Sequence, residues 1–422
     1  MLFVSTRGES PAISASEAIL QGLAPDGGLY VPEYFPHIAL EKLSSVTSYP
    51  ELAYEVLAPF FVDDELESEL AEICVEAFDF PVPLHWHDGK DSVLELYWGP
   101  TAAFKDFGAR FLAASMERLL KHRSRKLTIL VATSGDTGGA VAAAFHKRPG
   151  IEVKVLFPEG KVSKRQQQQL TCWADNVDAY AVEGVFDDCQ RMVKQAFMDP
   201  VLVAEHGLSS ANSINLGRLL PQMVYAFHAS LEVLARTGKE PVMVIPSGNV
   251  GNSCGSYWAK VMGAPISRIV LALNANRTIL DYLESGTYEK RSSRATLANA
   301  MDVGDPSNME RLTHLFGDFE QFSAEVSAFS VDDATITDTI RQVWEKHSYM
   351  VCPHTATGEF VRTSLDLSEP TVVYATAHPA KFDTVVEPVI GETVPVPLQL
   401  AELLDKPSAF KSIPADHTLL FS

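Results

Sequence analysis

Apolar runs of strand length recur at 127–131, 153–157, 177–182, 242–245, 269–273 and 372–375, and each gives way to a polar loop. Helix-forming sequence stands between them, as at 138–145 and 186–198. This alternation constrains the fold more than any other feature. Buried strands separated by helices predict an α/β fold with parallel sheets covered on both faces, whose ligands sit beyond the carboxyl ends of the strands. Residues 1–85 break the pattern and read as a separate unit. They contain a Gly-rich turn at 24–28, a Pro-interrupted stretch and a helical region with an acidic face over 63–76. The polar run Gln166–Gln169 reads as a solvated helix face.

The chain has 422 residues, more than one hydrophobic core usually covers, so two or three domains are expected. Its formal charge of −20 opposes nucleic acid and anionic membrane surfaces as partners. No apolar run reaches membrane-spanning length, and the N-terminal residues lack the long apolar stretch of a signal peptide. Cys74, Cys172, Cys189, Cys254 and Cys352 form an odd set without a CxxC pair. That set predicts reduced thiols and a cytoplasmic location. His85 with His87, and Cys352 with His354, lack a third ligand at suitable spacing, so no metal site is expected. The absence of a Gly-x-Ser-x-Gly elbow argues against serine hydrolysis. The pattern sets no oligomeric state.

Several loops have the composition of binding sites. Lys105 lies between Phe104 and Phe107, behind Gly99-Pro100-Thr101-Ala102-Ala103. Desolvation there disfavours the ammonium form and leaves an amine able to make a Schiff base, although a helix-start lysine that snorkels to water fits the same residues. Thr133-Ser134-Gly135-Asp136-Thr137-Gly138 and Ser247-Gly248-Asn249-Val250-Gly251-Asn252 each follow a strand and open a helix. Backbone amides and a helix N-terminus can receive a carboxylate in the first loop and a phosphate in the second, or the loops are ordinary Gly-rich caps. Asn212-Ser213-Ile214-Asn215-Leu216-Gly217-Arg218 places amides, a hydroxyl and a guanidinium within reach of an anion, or caps a helix before an exposed arginine. Thr376 ends the last apolar run, where a hydroxyl can bond an aromatic ring nitrogen without protonating it. His378, two residues on, is of secondary interest.

With these residues in view, the chain resembles the threonine synthases, a family of fold type II (tryptophan synthase β-like) enzymes that depend on pyridoxal 5'-phosphate. The resemblance rests on Glu95–Ala109, on Ser5-Thr6-Arg7-Gly8, on 26–32, on 186–189 and on 301–308, and spans nearly the whole chain. It implies two parallel-sheet domains and an N-terminal α-rich domain: 1–85; 98–210, carrying the lysine; and 86–97 with 211–422, carrying the phosphate loop. It implies that Lys105 holds the cofactor, that Ser247, Gly248, Asn249, Val250, Gly251 and Asn252 grip its phosphate, and that Thr376 meets its ring nitrogen. Ser134, Asp136 and Thr137 would receive the substrate carboxylate, while Thr133, Asn212, Ser213 and Arg218 would hold the substrate phosphate. The activity implied is conversion of O-phospho-L-homoserine and water to L-threonine and phosphate. Its rivals are a phospho-lyase that releases 2-oxobutanoate, a dehydratase or β-replacement enzyme, and a non-catalytic binding protein. Ala102 stands where the family commonly has leucine, and Asp305, expected near the pocket, stands where asparagine is more usual. Many relatives carry asparagine at Asp136, beside the 3'-oxygen, although this subgroup commonly has aspartate.

Overall fold

The computed structural model describes residues 1–121, 123, 126–365 and 367–421; positions 122, 124 and 125 of the expected 98–210 unit and 366 and 422 of the expected 211–422 unit lie outside them. At the N-terminus, β1 (Leu2–Ser5), β2 (Ile13–Ser14) and β3 (Tyr30–Pro32) form an antiparallel sheet with β1 in the middle. Around it pack the helices Ala15–Gln21, Tyr49–Leu57 and Leu70–Ala77. The acidic helix expected from 63 begins only at Leu70, because Asp63 takes a left-handed φ of 58° and Glu67–Glu69 is a 3-10 turn. A left-handed residue cannot continue a right-handed helix.

Ten of the remaining strands and their helices make two sheets. In chain order they are β4 (Leu84–Trp86), β5 (Asp91–Glu95), β6 (Leu127–Ala132), β7 (Ile151–Pro158), β8 (Val177–Glu183), β9 (Leu208–Ser210), β10 (Val242–Pro246), β11 (Arg268–Leu273), β12 (Ser327–Ser330) and β13 (Thr371–Ala375). The last strand, β14 (Lys411–Pro414), joins them. The larger sheet has the order 12-11-10-13-5-4 and is parallel except for the β4–β5 hairpin. The smaller has the order 14-8-7-6-9 and is parallel throughout. All the strand-length apolar runs read from the sequence lie in these sheets.

The chain end departs from the expected assignment of 211–422 to the larger unit, since β14 pairs with β8, placing Ile413 beside Val182. Gln168 Nε2 donates to Lys406 O at 2.6 Å, and Ala409 N donates to Thr171 O at 2.9 Å, which guides the tail across to the smaller sheet. Ile413 and Leu420 then cover a cluster with Tyr180, Val182 and Met192. The tail thus closes a sheet edge that would otherwise present unpaired backbone groups.

The segments 96–108, 133–138, 211–218, 247–252 and 376–382 all leave the carboxyl ends of parallel strands (β5, β6, β9, β10 and β13). This is where such sheets place ligands. The helix Lys105–Lys121 is seated by Phe107 and Phe111 in an aromatic cluster with Phe78, Phe80 and Tyr225. Its opposite contact is closer. A Cβ on Gly108 would lie 2.6 Å from the carbonyl oxygen of Arg218 and 2.9 Å from its Nε. Gly108→Ala should therefore destabilise the protein by about 1–3 kcal/mol, the usual cost of overpacking, and lower its thermal midpoint. An unchanged midpoint would show that this helix is not seated so tightly against Arg218.

Candidate active site

The turn before Lys105 is closed by a carboxylate. Thr101 donates its backbone N–H and its hydroxyl to Asp106, at 2.9 and 2.6 Å, and Asp106 is the second residue of the helix. Gly99 is required there, because a Cβ would stand 2.5 Å from Asp106 Oδ2. Beyond Thr101 the chain runs antiparallel to the segment that follows β13. Phe104 N donates to Thr376 O at 2.8 Å, His378 N donates to Ala102 O at 3.0 Å, and Ala103 bridges Ala377. Lys105 is thereby set beside Thr376, whose buried hydroxyl has no hydrogen-bond partner among the described residues.

Phe107 is fully buried and Phe104 partly exposed, so the two phenylalanines do different work. The first anchors the helix; the second lies beside the amine, with Lys105 Nζ 5.8 Å from its ring centre. That amine makes no hydrogen bond or ion pair among the described residues. Lys105 keeps partial access to solvent. Burial of its amine still pushes the pKa down to about 8, with Lys381 and Arg218 adding to the effect and Asp136 opposing it.

The loop after β6 is shaped by Thr133. Its hydroxyl accepts from Gly135 N at 3.0 Å and from Gly138 N at 2.9 Å, and donates to Gly135 O at 3.2 Å. Gly135 takes a φ of 142° against the Gln166 amide, where a Cβ would meet Nε2 at 2.5 Å. Thr133 is buried and its hydroxyl is spent within the loop, which departs from the expectation that it faces a phosphate. The amides of Ser134, Asp136 and Thr137 have no partner among the described residues, and the side chains of Ser134 and Thr137 are partly exposed. The Asp136 carboxylate does not join them. It is buried against Lys381 Nζ at 2.9 Å and Gln166 Nε2 at 3.3 Å. Burial alone would raise its pKa, but Lys381, with Lys105 behind it, holds it well below the usual carboxylate range. A carboxylate so placed repels a second carboxylate, so at Asp136 only the backbone amide is suited to one.

The loop after β10 is built around missing side chains and free amides. A Cβ on Gly248 would lie 2.6 Å from Met301 Cα, and Val250 takes a left-handed φ of 50° as it opens the helix Gly251–Val261. Ser247 bonds Ile245 O at 2.9 Å and Ser253 Oγ at 2.5 Å, and Asn252 Nδ2 donates to Pro246 O at 2.9 Å, fixing the backbone from below. The N–H groups of 248–252 have no partner among the described residues. Asn249 ties this loop to two others: its Nδ2 donates to Ser213 Oγ and its Oδ1 accepts from Ser307 N, both at 2.5 Å. Asn308 adds a bond to Asn249 O at 3.2 Å.

The segment after β9 supplies the remaining residues. Asn215 caps the helix Leu216–Leu219 by accepting from Gly217 N at 2.8 Å. Asn212 is partly exposed and its side chain has no partner among the described residues. Arg218, expected either on an anion or exposed, is buried. Its guanidinium donates to Ala211 O, its Nε is buried without a partner, and burial pushes its pKa down to about 10 against the pull of Asp106.

Four residues at this site escaped the sequence reading. Lys381 stood in a conspicuous segment, but its partner, Asp136, lies on the other sheet. Gln166 and Gln169, read as solvated, are buried; Gln166 bonds Asp136 and Gln169 donates to Thr101 O at 3.0 Å. His354 is buried with its pKa pushed down to about 4, chiefly by burial, and accepts from Ala300 N at 3.1 Å. Asp305 pairs with Lys290 at 2.8 Å and accepts from the Tyr288 hydroxyl at 3.1 Å.

The chain is similar to known proteins along its whole length. The pyridoxal-phosphate dependent enzyme family matches residues 94–373, the threonine synthase N terminus matches 2–78, and the threonine synthase C-terminal region matches 352–420. The threonine synthase of Escherichia coli (strain K12) is 37% identical over 424 residues, covering 100% of this chain and 98% of the relative. That of Haemophilus influenzae is 39% identical over 398 residues, covering 93% of this chain and 91% of the relative. The crystal structure of pyridoxal-phosphate-bound threonine synthase from Brucella melitensis superposes with a TM-score of 0.93 at 37% identity, covering 100% of this chain and 98% of that one. On the fold, the arrangement of the site and the extent of these matches, the chain belongs to the threonine synthase family of pyridoxal-phosphate dependent enzymes.

Proposed function

We propose that this chain converts O-phospho-L-homoserine and water to L-threonine and phosphate, with pyridoxal 5'-phosphate held at Lys105. The observation that carries the reading is the Lys105 amine, unpartnered among the described residues and pushed toward its neutral form, at the strand-end face from which the loops with the free amides of Ser134, Asp136, Thr137 and 248–252 also leave. The second set suits the cofactor phosphate. Gly248 lets the backbone close on it, and five amides at a helix start balance its charge without titrating. Thr376 suits the ring nitrogen, since a neutral hydroxyl can bond it without adding a proton. When bound, the cofactor supplies a sink for the negative charge that develops on substrate carbon.

The rest is work for the chain's own groups. The amides of Ser134, Asp136 and Thr137, with the hydroxyls of Ser134 and Thr137, receive the substrate carboxylate. Asn212 and Ser213 receive the substrate phosphate with the charge of the buried Arg218 guanidinium behind them, while Thr133 shapes the loop beside them. Lys105 takes the proton from Cα and moves protons at Cβ. Fixed polar groups near the departing phosphate orient a water against Cβ. The five cysteines, all free and buried, suit a reducing cytoplasm. No helix among the described residues is long and apolar enough to cross a membrane.

Three outcomes test this. Lys105→Ala should abolish turnover and the borohydride-reducible link to the cofactor while circular dichroism stays unchanged; a retained covalent link would move the role to another lysine. Arg218→Lys keeps the charge and loses the fork, so kcat/KM for O-phospho-L-homoserine should fall at least about tenfold, roughly 1.4 kcal/mol, with cofactor affinity almost unchanged. Cofactor affinity falling in step with activity would place Arg218 at the cofactor instead. Quantified against released phosphate, threonine should dominate and 2-oxobutanoate should be minor. A majority of 2-oxobutanoate would make the enzyme a phospho-lyase.

A further inference from the structure

Two amines share one carboxylate at this site, and their geometries differ. Lys381 Nζ stands 2.9 Å from Asp136 Oδ1, with the two side chains 0% and 4% exposed. The same ammonium donates to Thr101 O at 2.9 Å, and that carbonyl also receives Gln169 Nε2 at 3.0 Å. Gln166 Nε2 donates to the same Asp136 oxygen at 3.3 Å. Lys381 and Asp136 are thus clamped from several sides, and through Thr101 and Asp106 the clamp is fixed to the turn that starts the Lys105 helix. Lys105 Nζ, facing the same carboxylate, has no such bond.

We propose that Lys381 is a positioning residue for the reaction: by closing an ion pair with Asp136 it keeps that carboxylate off Lys105, so that one amine stays a fixed ammonium and the other stays free to react. This rests on the reading of Lys105 as the cofactor lysine. The charged groups facing Lys105 are Asp136 from the helix Asp136–Phe145, Lys381 from the turn Pro379–Phe382 and Arg218 from the helix Leu216–Leu219. Asp106 adjoins it on its own helix, and His354 from the helix Pro353–Ser364 senses it. With Lys381 gone, Lys105 is the next strongest cationic influence on Asp136 among the described residues, and its ammonium form gains. With the Asp136 charge gone, Lys105 faces Lys381 and Arg218 alone, and the ammonium form loses. The two substitutions therefore act on Lys105 with opposite signs, which a role in packing alone does not produce.

The test uses the full chain without cofactor, so that it stands apart from catalysis. Trace acetylation of Lys105 with acetic anhydride, read by peptide mass spectrometry across pH, gives the midpoint at which its amine becomes reactive. Lys381→Met should raise that midpoint by at least about one pH unit, a tenfold drop in the reactive fraction below it. Asp136→Asn should lower it, and Lys381→Arg should leave it within about half a unit of the parent protein, the charge being kept. A midpoint that falls or stays put in Lys381→Met, or that rises or stays put in Asp136→Asn, overturns the proposal. Should Lys381→Met fail to fold by circular dichroism, Lys381→Gln takes its place, with the same rise expected and a fall or no change overturning the proposal. Loss of the cofactor role of Lys105 would appear instead in the Lys105→Ala protein and would leave these midpoints unchanged.

Discussion

Two backbone hydrogen bonds, Phe104 N to Thr376 O at 2.8 Å and His378 N to Ala102 O at 3.0 Å, join the lysine turn to the segment leaving β13. They set Thr376 beside the Lys105 turn, and the bonds of Lys381 and Gln169 to Thr101 O add the 133–138 loop to the same joint. The joint demands an unusual backbone. Ala102 takes a φ of 54°, which costs a non-glycine residue roughly 1–2 kcal/mol, and the two bonds and the Thr101–Asp106 clamp offset that cost locally. The residues at the joint, Ala102, Ala103 and Ala377, are small and almost wholly buried. Larger side chains would hold the two segments apart, so alanine at 102 is compatible with a close joint.

The N-terminal unit reaches the site through the segments that carry its polar groups. Asn215 donates to Ile19 O at 2.9 Å, and Ser209 donates to Leu20 O at 3.0 Å, bracing both ends of 209–215. Arg311 is fully buried and spreads its guanidinium over Tyr30 O at 3.1 Å, Ile214 O at 2.7 Å and Asn308 Oδ1 at 2.7 Å. Burial pushes its pKa down to about 10. A buried cation with only neutral acceptors is costly unless several hydrogen bonds compensate it, and these three tie the N-terminal strand β3, the 212–218 segment and the Asn308 contact to the 247–252 loop into one body. Thr6 and Arg7 add contacts to Glu310 at 2.6 and 3.1 Å from the outside. The N-terminal unit is therefore a brace for the binding loops.

What the sequence made legible was whatever is local. Strands such as Leu127–Ala132 and Val177–Glu183 announce themselves as continuous apolar runs, and the free amides of Ser134, Asp136, Thr137 and 248–252 follow from Gly-rich loops that open helices. Short edge strands such as Leu208–Ser210 and Lys411–Pro414 carry too few residues to show a period. The pairing of β14 with β8 depends on a tail crossing between sheets, and no local pattern encodes it. The same limit explains the site. Asp136 looked like a receptor for a carboxylate because its loop opens a helix with free amides, but its own charge is consumed by Lys381, brought in from beyond the end of a strand in the other sheet. Gln166 and Gln169 read as solvated because a polar helix face looks the same whether water or a buried carboxylate and carbonyl answer it. Thr133 looked free because a hydroxyl in a Gly-rich loop gives no sign of closing back on its own amides.

The charge balance of the site runs against that of the whole protein. The chain carries a formal charge of −20, yet Lys105, Lys381 and Arg218 outnumber Asp136 and Asp106 where anions must bind. The excess is small, and most of the receiving groups are neutral amides. That choice has a physical consequence. An amide at a helix start is oriented by the fold, keeps its polarity at every pH and offers no lone pair to an aldehyde, whereas a free lysine would compete with Lys105. Cations that do stand near are held in place: Lys381 by Asp136 and Thr101, Arg218 by Ala211 O under the Gly108 contact. The site thus keeps several oriented amides free in a strongly acidic protein while presenting one unpartnered amine.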